Sequence, residues 1–465
     1  MDCGELVSSS GPRHARHWTK STVVSLTTGT GHEVFESLVI PHIERARNEV
    51  ILATCFWAPS TTRDSVRDAL VALSNQAVME NRTKITVRIC FSSSSLARNM
   101  LLPTPKGGEI YGPTKWKQKL GLPDPEELPG LDLVVTRKFF WPFGIIHSKY
   151  VVVDRKLAIF PSCNVSWEPW FEVGVATRGR VVDELMAFHQ SFWSSTSSTG
   201  PPTSISGSTS GSSSSSSSTT TPIGQGHDGP GDHEHDGDGD DHNESIDSAA
   251  RTILLPSPHR STLIPFWCRP SSLLSRKCSC IPIPSSATAA SSSCSKTPLL
   301  QTTHHLLSTA RSSITILTPN LTEPAVLGLL SDALHRGVRV LVWTNRRLMT
   351  TEQIVTAGTT TPTCVRRLKK MSHGSRGELM VHYFDDHQRE ATTTTPSSGD
   401  RRDNHSTTPV KLHAKVTIVD DSKLLLGSCN MDAASWRTSQ ELGVLIQSKT
   451  VIERFNKEWN KYGGI

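Results

Sequence analysis

The sequence predicts an α/β chain built from two copies of one unit, each a β-sheet covered by helices. Three observations carry this. An octet recurs, as His147-Ser-Lys149-Tyr-Val-Val-Val-Asp154 and His413-Ala-Lys415-Val-Thr-Ile-Val-Asp420, sharing the spacing H-x-K-x-x-x-x-D. Its flanks recur as well: Ser162-Cys-Asn164 and Ser428-Cys-Asn430, then Glu172-Val-Gly-Val and Glu441-Leu-Gly-Val. Two chance copies of such a pattern in a chain of this length is an event on the order of a few in a thousand. Lastly, amphipathic stretches alternate with continuous apolar runs of the kind buried on both faces of a sheet.

In the first copy, residues 22–27 read as a strand. Residues 34–47 read as a helix, with Val34, Phe35, Leu38, Val39 and Ile43 near helical spacing. Residues 50–56 are an apolar run fit for a buried strand, 66–77 a helix, 85–90 a strand, and 133–136 a strand ahead of the octet. The second copy repeats the order. It has a helix at 299–310, a strand at 314–318, a helix at 324–335 stopped by Gly337, and strands at 338–343 and 379–384. Residues 253–259 echo the first strand. The domains expected are 20–193, a disordered Ser/Gly/His/Asp-rich linker at 194–249, and 250–465, with disordered insertions near 270–296 and 392–408. The linker's Asp236/Asp238/Asp240 spacing is that of a calcium loop, but Asp241 at position six and Asp247 at position twelve depart from it, so a solvated tether is expected.

The charge balance, 49 basic against 43 acidic residues, leans mildly towards anionic partners and falls short of what a protein that wraps nucleic acid carries. Ten cysteines lack metal-ligand spacing, and Cys278-Ser-Cys280 is too tight for zinc. The first residues lack the apolar core of a signal peptide, which predicts an intracellular, reducing setting. No apolar run reaches the ~20 residues of a spanning helix, so membrane contact is expected to be peripheral.

On a strand, residues two apart share a face, so His147 projects with Lys149, and His413 with Lys415. Ser162, Asn164, Ser428 and Asn430 add hydroxyl and amide donors, the surroundings a phosphate needs. Glu172 and Glu441 are assigned to accept from one imidazole nitrogen each and orient the rings. Asp154 and Asp420 end the apolar runs and are assigned to turns, bonding nearby backbone amides. A lone His-x-Lys is usually an ordinary exposed polar pair; the duplication is what gives it weight. Two histidines facing across one cleft permit covalent catalysis, one attacking phosphorus and the other protonating the departing oxygen.

At these residues the chain resembles the phospholipase D superfamily, whose HKD motif is H-x-K-x-x-x-x-D, usually in two copies. The second copy, with Gly427-Ser-Cys-Asn-Met-Asp-Ala-Ala-Ser435 and Glu441, resembles the cardiolipin synthase-like branch. So do Leu317-Thr-Pro-Asn320 and Arg336-Gly-Val-Arg339. The resemblance implies two phospholipase D-like halves, each a mixed β-sheet flanked by helices, packed about a pseudo-twofold with one shared active site. It also implies a phosphohistidine intermediate, no cofactor and no metal, with His147 as nucleophile and His413 as general acid. Pro161 departs from it, standing where the second copy has Gly427. The expected activity is a phosphodiesterase or phosphatidyltransferase acting on a glycerophospholipid at a membrane surface. The aromatic group Phe139-Phe-Trp141-Pro-Phe143 is read either as an acyl entrance or as a buried loop core. A nuclease holding a backbone on Arg366-Arg-Leu-Lys-Lys370 and Arg401-Arg402 is the alternative, and a silent phosphate-binding scaffold is a further one.

Overall fold

The computed structural model describes residues 18–93, 108–140, 144–193, 248–257, 297–386 and 408–463. Most of the expected linker, the 270–296 insertion, residues 392–407, the Asp236/Asp238/Asp240 spacing, Arg401-Arg402 and Trp141-Pro-Phe143 lie outside the described residues.

The first half contributes β1 (Thr19–Thr30), β2 (Glu49–Phe56), β3 (Ile85–Ser93), β4 (Glu109–Tyr111), β5 (Leu131–Arg137), β6 (Tyr150–Val153), β7 (Leu157–Pro161) and β8 (Trp170–Gly179). The second contributes β9 (Ser248–Ser257), β10 (Ser313–Leu317), β11 (Arg339–Thr344), β12 (Leu379–Tyr383), β13 (Lys411–Leu412), β14 (Val416–Val419), β15 (Lys423–Gly427) and β16 (Glu441–Gln447). All join one mixed sheet, ordered β12-β11-β10-β14-β15-β16-β9-β1-β8-β7-β6-β2-β3-β5-β4, with β13 beside β8. Counted outward from the middle, β1-β8-β7-β6-β2-β3-β5 mirrors β9-β16-β15-β14-β10-β11-β12. The antiparallel seam from Thr19↔Thr252 to Val23↔Ser248 therefore relates the halves by a pseudo-twofold. In each half three strands, β2-β3-β5 and β10-β11-β12, run parallel and the motif strand is antiparallel to its neighbours, so the sheet is mixed as expected; β4 adds an antiparallel edge to the first half.

Helices cover both faces. Thr61–Met79 starts at Ser60, whose Oγ accepts from Arg63 N at 3.1 Å, and buries Val66, Ala69, Leu70, Leu73 and Ala77 along one stripe. Pro324–His335 takes the matching place in the second half. On the opposite face, Arg180–Trp193 and Lys449–Asn460 pack near the seam. Their Leu185, Phe192, Val451 and Phe455 share one core cluster with Val23, Phe171, Leu412 and Val444. That cluster draws on both halves and fixes them against each other.

Several elements differ from expectation. The helix expected at 34–47 spans 31–44, begins with the Thr30/Glu33 capping box and passes through a π turn at Phe35–Val39. Ser248 and Ala249, expected as linker, open β9 because their backbones pair with Val23 and Thr22, which needs no apolar side chain. The octet's His and Lys precede their strands: β6 and β14 begin at Tyr150 and Val416. Pro161 leaves the ladder intact, since Ser162 N donates to Val173 O at 2.8 Å as Ser428 N does to Leu442 O at 3.0 Å.

Each octet ends in a three-residue hairpin loop that opens with a β-turn. Asp154 and Arg155 (φ 52° and 54°) lie between Val153 O and Lys156 N, and Asp420 and Asp421 (φ 53° and 47°) between Val419 O and Ser422 N. Both central residues are left-handed, as a type I′ turn demands, and aspartate tolerates that conformation. Each carboxylate also reaches a distant loop, where a nearby contact had been expected. Asp154 accepts from Arg47, Asn48 and Glu49 N at 2.6–3.1 Å. Asp420 accepts from Arg311, Ser312 and Ser313 N at 2.7–3.2 Å. These loops lead into β2 and β10, so each aspartate ties the motif hairpin to its neighbouring strand.

Burial pushes the Asp420 carboxyl up, but those backbone donors and the Ser312 hydroxyl outweigh it and hold it below the usual range. A depressed folded pKa stabilises above the ordinary carboxylate pKa, and the stabilisation is lost as pH falls through the folded value. Asp420→Asn keeps the left-handed turn and removes the charge. It should cost about 1 kcal/mol in urea unfolding at neutral pH, with the gap to wild type closing in strong acid. A gap that stays constant with pH contradicts this role.

Candidate active site

Each candidate histidine is carried on the loop that enters its motif strand, and that loop docks on the other half. Ile146 bridges Gln440 in parallel, and His147 N donates to Gln440 O at 2.8 Å. In the second copy β13 pairs with β8, Leu412 against Phe171, and His413 N donates to Phe171 O at 2.9 Å. Gln440 and Phe171 are the residues just before Glu441 and Glu172. The pseudo-twofold thus sets each histidine beside the glutamate of the opposite half.

The side chains meet there. His147 Nδ1 lies 3.1 and 3.0 Å from the two Glu441 carboxylate oxygens. His413 Nδ1 lies 2.5 Å from Glu172 Oε1. Both glutamates, both lysines and both histidines are buried. Burial pushes Glu172 up, yet the His413 ring, Lys415 and the Ser162 hydroxyl outweigh it and hold the carboxyl below its ordinary value. Burial lowers His413 to about 4, with the attraction of Glu172 opposing and the repulsion of Lys415 assisting. His147 is lowered likewise, first by burial and then by Lys149 and Lys415, against the pull of Glu441. An ionised carboxylate can only accept, so the His413 proton sits on Nδ1 and leaves Nε2 as the basic atom.

The lysines break the symmetry. Lys149 Nζ donates to His147 O at 2.8 Å. Lys415 Nζ lies 2.5 Å from His413 O and 3.0 Å from His413 Nε2. Among the described residues no matching bond joins Lys149 to His147 Nε2. Burial lowers Lys415 to about 7, with Lys149 adding repulsion and Glu172, Glu441 and Asp432 opposing. The two ammonium groups thus share one buried space, which suits an anion between them.

The serines and one asparagine hold other groups than the phosphate cradle expected of them. Ser162 Oγ donates to Glu172 Oε2 at 2.5 Å and accepts from Val173 N at 2.9 Å. Ser428 Oγ donates to Glu441 Oε2 and accepts from Leu442 N at 3.0 Å. Each serine's only proton is committed to a glutamate, so the serines orient the carboxylates that orient the rings. Asn430 Nδ2 donates to Asp432 Oδ2 at 3.0 Å, and Asn164 Oδ1 accepts from Phe56 N at 3.3 Å. Among the four, Asn164 keeps its amide N–H donors uncommitted within the described residues.

Further positioning residues escaped the sequence reading. Ile146 N donates to Ser92 Oγ at 3.0 Å, and Leu412 is clamped by Asn345, N to Oδ1 at 2.9 Å and O to Nδ2 at 2.7 Å. Ser92 lies at the end of β3 and Asn345 just past β11, equivalent places that each secure the residue before a histidine. Ser148 Oγ donates to Gln440 Oε1 at 2.6 Å, and the Trp170 ring lies 4.9 Å from that of His413. Serine and asparagine at equivalent places share no letter, so the duplication gave no signal for them. Among the described residues, no group of three or more His, Cys, Asp or Glu is placed to hold a metal ion, and no helix is long and apolar enough to cross a membrane.

Similar solved structures include the phosphatidylserine synthase of Haemophilus influenzae Rd KW20, at 12% identity over 96% of this chain and 88% of that one, with a TM-score of 0.49. The phospholipase D family member Nuc from Salmonella typhimurium matches 36% of this chain and 86% of its own, at 18% identity and a TM-score of 0.25. NucT from Helicobacter pylori matches 35% and 86%, at 14% identity and a TM-score of 0.23. No curated protein matches the chain. The family described as cardiolipin synthase, PLD-like domain, matches residues 304–462, which span the second octet, Glu441 and the helix Lys449–Asn460. Residues 304–462 are thus similar to the family that the paired octets resemble.

Proposed function

We propose that the chain is a phosphodiesterase or phosphatidyltransferase acting on glycerophospholipids through a covalent phosphohistidine. The crossed His–Glu pairs carry this reading. They join two imidazoles and two lysines, one of each from either half, in a single buried site. The phospholipid class is supported by the match to a cardiolipin synthase PLD-like domain.

The two lysines hold the non-bridging oxygens of the phosphodiester. His147 is the nucleophile: its Nδ1 faces Glu441, and among the described residues no lysine bonds its Nε2. Nε2 forms the N–P bond as the P–O bond to the leaving alcohol breaks, and His413 Nε2 delivers a proton to that oxygen. Free His413 is neutral near pH 7, so its proton arrives from Lys415, 3.0 Å away and itself poised at about 7. Water or an alcohol then attacks phosphorus as the N–P bond to His147 breaks, giving its proton to His413, which returns it to Lys415. Glu172 and Glu441 hold the rings and balance the charge each acquires.

The substrate class is tested by incubating the protein with phosphatidylglycerol, phosphatidylcholine or single-stranded DNA, with ethanol as a second acceptor and EDTA present or absent. Phosphatidic acid or phosphatidylethanol should form in EDTA, and His147→Ala should lower turnover by about 10³-fold or more. DNA cleavage with both lipids untouched would falsify the proposal.

The pH profile tests the lysine relay. Lys415, ordinarily 10.5, loses its proton above about 7 here, so kcat/KM should fall on the alkaline side from near pH 7. The lowered His147 keeps its attacking nitrogen free of protons to below pH 6.5. Lys415→Arg should be slower by about 10²-fold and lose the alkaline limb, because arginine stays charged. An alkaline limb that remains near 7 in that variant contradicts the assignment.

A further inference from the structure

The rim of the site on the His413 side carries a ridge of exposed apolar side chains. Trp167 is 59% exposed, Ile354 54%, Val410 44% and Met349 39%. The segments bearing them touch. Val410 N donates to Pro169 O at 2.9 Å, beside the Trp167 loop. The next residue, Lys411, donates its Nζ to Arg347 O at 2.6 Å. Arg347 leads through Met349 into the helix Thr350–Ala357, which carries Ile354. The ridge lies over the site: Val410 is three residues before His413, and Trp170, three after Trp167, packs on the His413 ring.

Its charge favours one kind of partner. Arg346 and Arg347 are exposed, and Arg366 is exposed on the following helix, Thr361–Met371. Asp385 and Asp386 are engaged with Arg346 and with the backbone N–H groups of Arg346 and Arg347. The acids within the ridge itself are Glu168 and Glu352, and burial pushes Glu352 up to about 7, with Asp432 adding to it. Apolar tips standing among arginine and lysine form the pattern by which a protein seats itself on an anionic lipid surface.

We propose that the ridge formed by Trp167, Met349, Ile354 and Val410, flanked by Arg347 and Lys411, docks the protein on an anionic phospholipid bilayer and presents the His413 side of the cleft to it. The docking rests on the phospholipid reading of the site, but its test is separable from that reading. Trp167 and Ile354 dip below the head groups while the cations remain among the phosphates, and a lipid reaches the cleft without leaving the interface. Val78 and Met79, also exposed, end the helix Thr61–Met79 at the far end of the sheet and take no part.

The test is flotation of the full-length protein with vesicles of phosphatidylcholine alone or with phosphatidylglycerol added. Wild type should bind the mixed vesicles, and more weakly as salt rises. Ile354→Glu and Trp167→Ser should each weaken binding about tenfold. Arg347→Glu, which leaves the apolar side chains in place, should weaken it on anionic vesicles alone. Met79→Glu, equally apolar to charged, should change nothing. Turnover of a soluble short-chain phospholipid should be unaffected by all four while vesicle turnover follows binding. Binding with this pattern but no turnover of either lipid supports the docking and removes the substrate reading. Failure of wild type to bind, or equal loss in Met79→Glu, overturns the docking. So do Ile354→Glu and Trp167→Ser variants that dissolve a dimer in sedimentation while vesicle binding is untouched.

Discussion

The Nδ1 atom of each candidate histidine is held by a carboxylate from the other half of the chain, and the rest of the architecture serves that crossing. Glu172 and Glu441 open onto the site from β8 and β16, the strands flanking the central β1–β9 seam. That position lets the loop of each octet lie alongside the opposite glutamate strand, Leu412 on Phe171 and Ile146 on Gln440. The glutamates and lysines are at most 4% exposed. Ionised groups so deep cost several kcal/mol each unless paired. Each carboxylate meets its imidazole only across the seam, so the site is complete only where the two halves pack together.

Within this symmetric frame the two histidines face different surroundings. Lys415 reaches His413 Nε2, while Lys149 stops at the His147 carbonyl. Ser148 bonds Gln440, where the second copy has Ala414 against Phe171. Trp170 packs on His413. The repeat supplies two equivalent half-sites, and these few departures give the imidazoles different neighbours. The proposed chemistry, with one bare nucleophile and one proton carrier, uses that difference in neighbours.

Much of this was legible in the sequence because the signals were local. The octet spacing, the paired Glu-x-Gly-Val segments and the alternation of buried runs with amphipathic stretches gave the fold class and the candidate set. The crossing was not legible, since periodicity places Glu172 and Glu441 on strands without saying which histidine each would meet. A hydroxyl near a Lys–His pair, as at Ser162 and Ser428, can serve a phosphate or a carboxylate, and only the distance to the carboxylate separates the two uses. The Asp154 and Asp420 turns were visible, but their bonds to loops more than a hundred residues away were not. Ser92 and Asn345 hold equivalent places with different side chains, which no repeat comparison could reveal.

The crossing itself is tested most directly by double-mutant cycles on kcat/KM, pairing His413→Gln and then His147→Gln with Glu172→Gln and with Glu441→Gln. The crossed pairs, His413 with Glu172 and His147 with Glu441, should couple by about 1.5–3 kcal/mol, as charged hydrogen-bonded partners do. The same-half pairs, His147 with Glu172 and His413 with Glu441, should couple by about 0.5 kcal/mol or less. Same-half coupling equal to or above the crossed coupling would contradict the shared site.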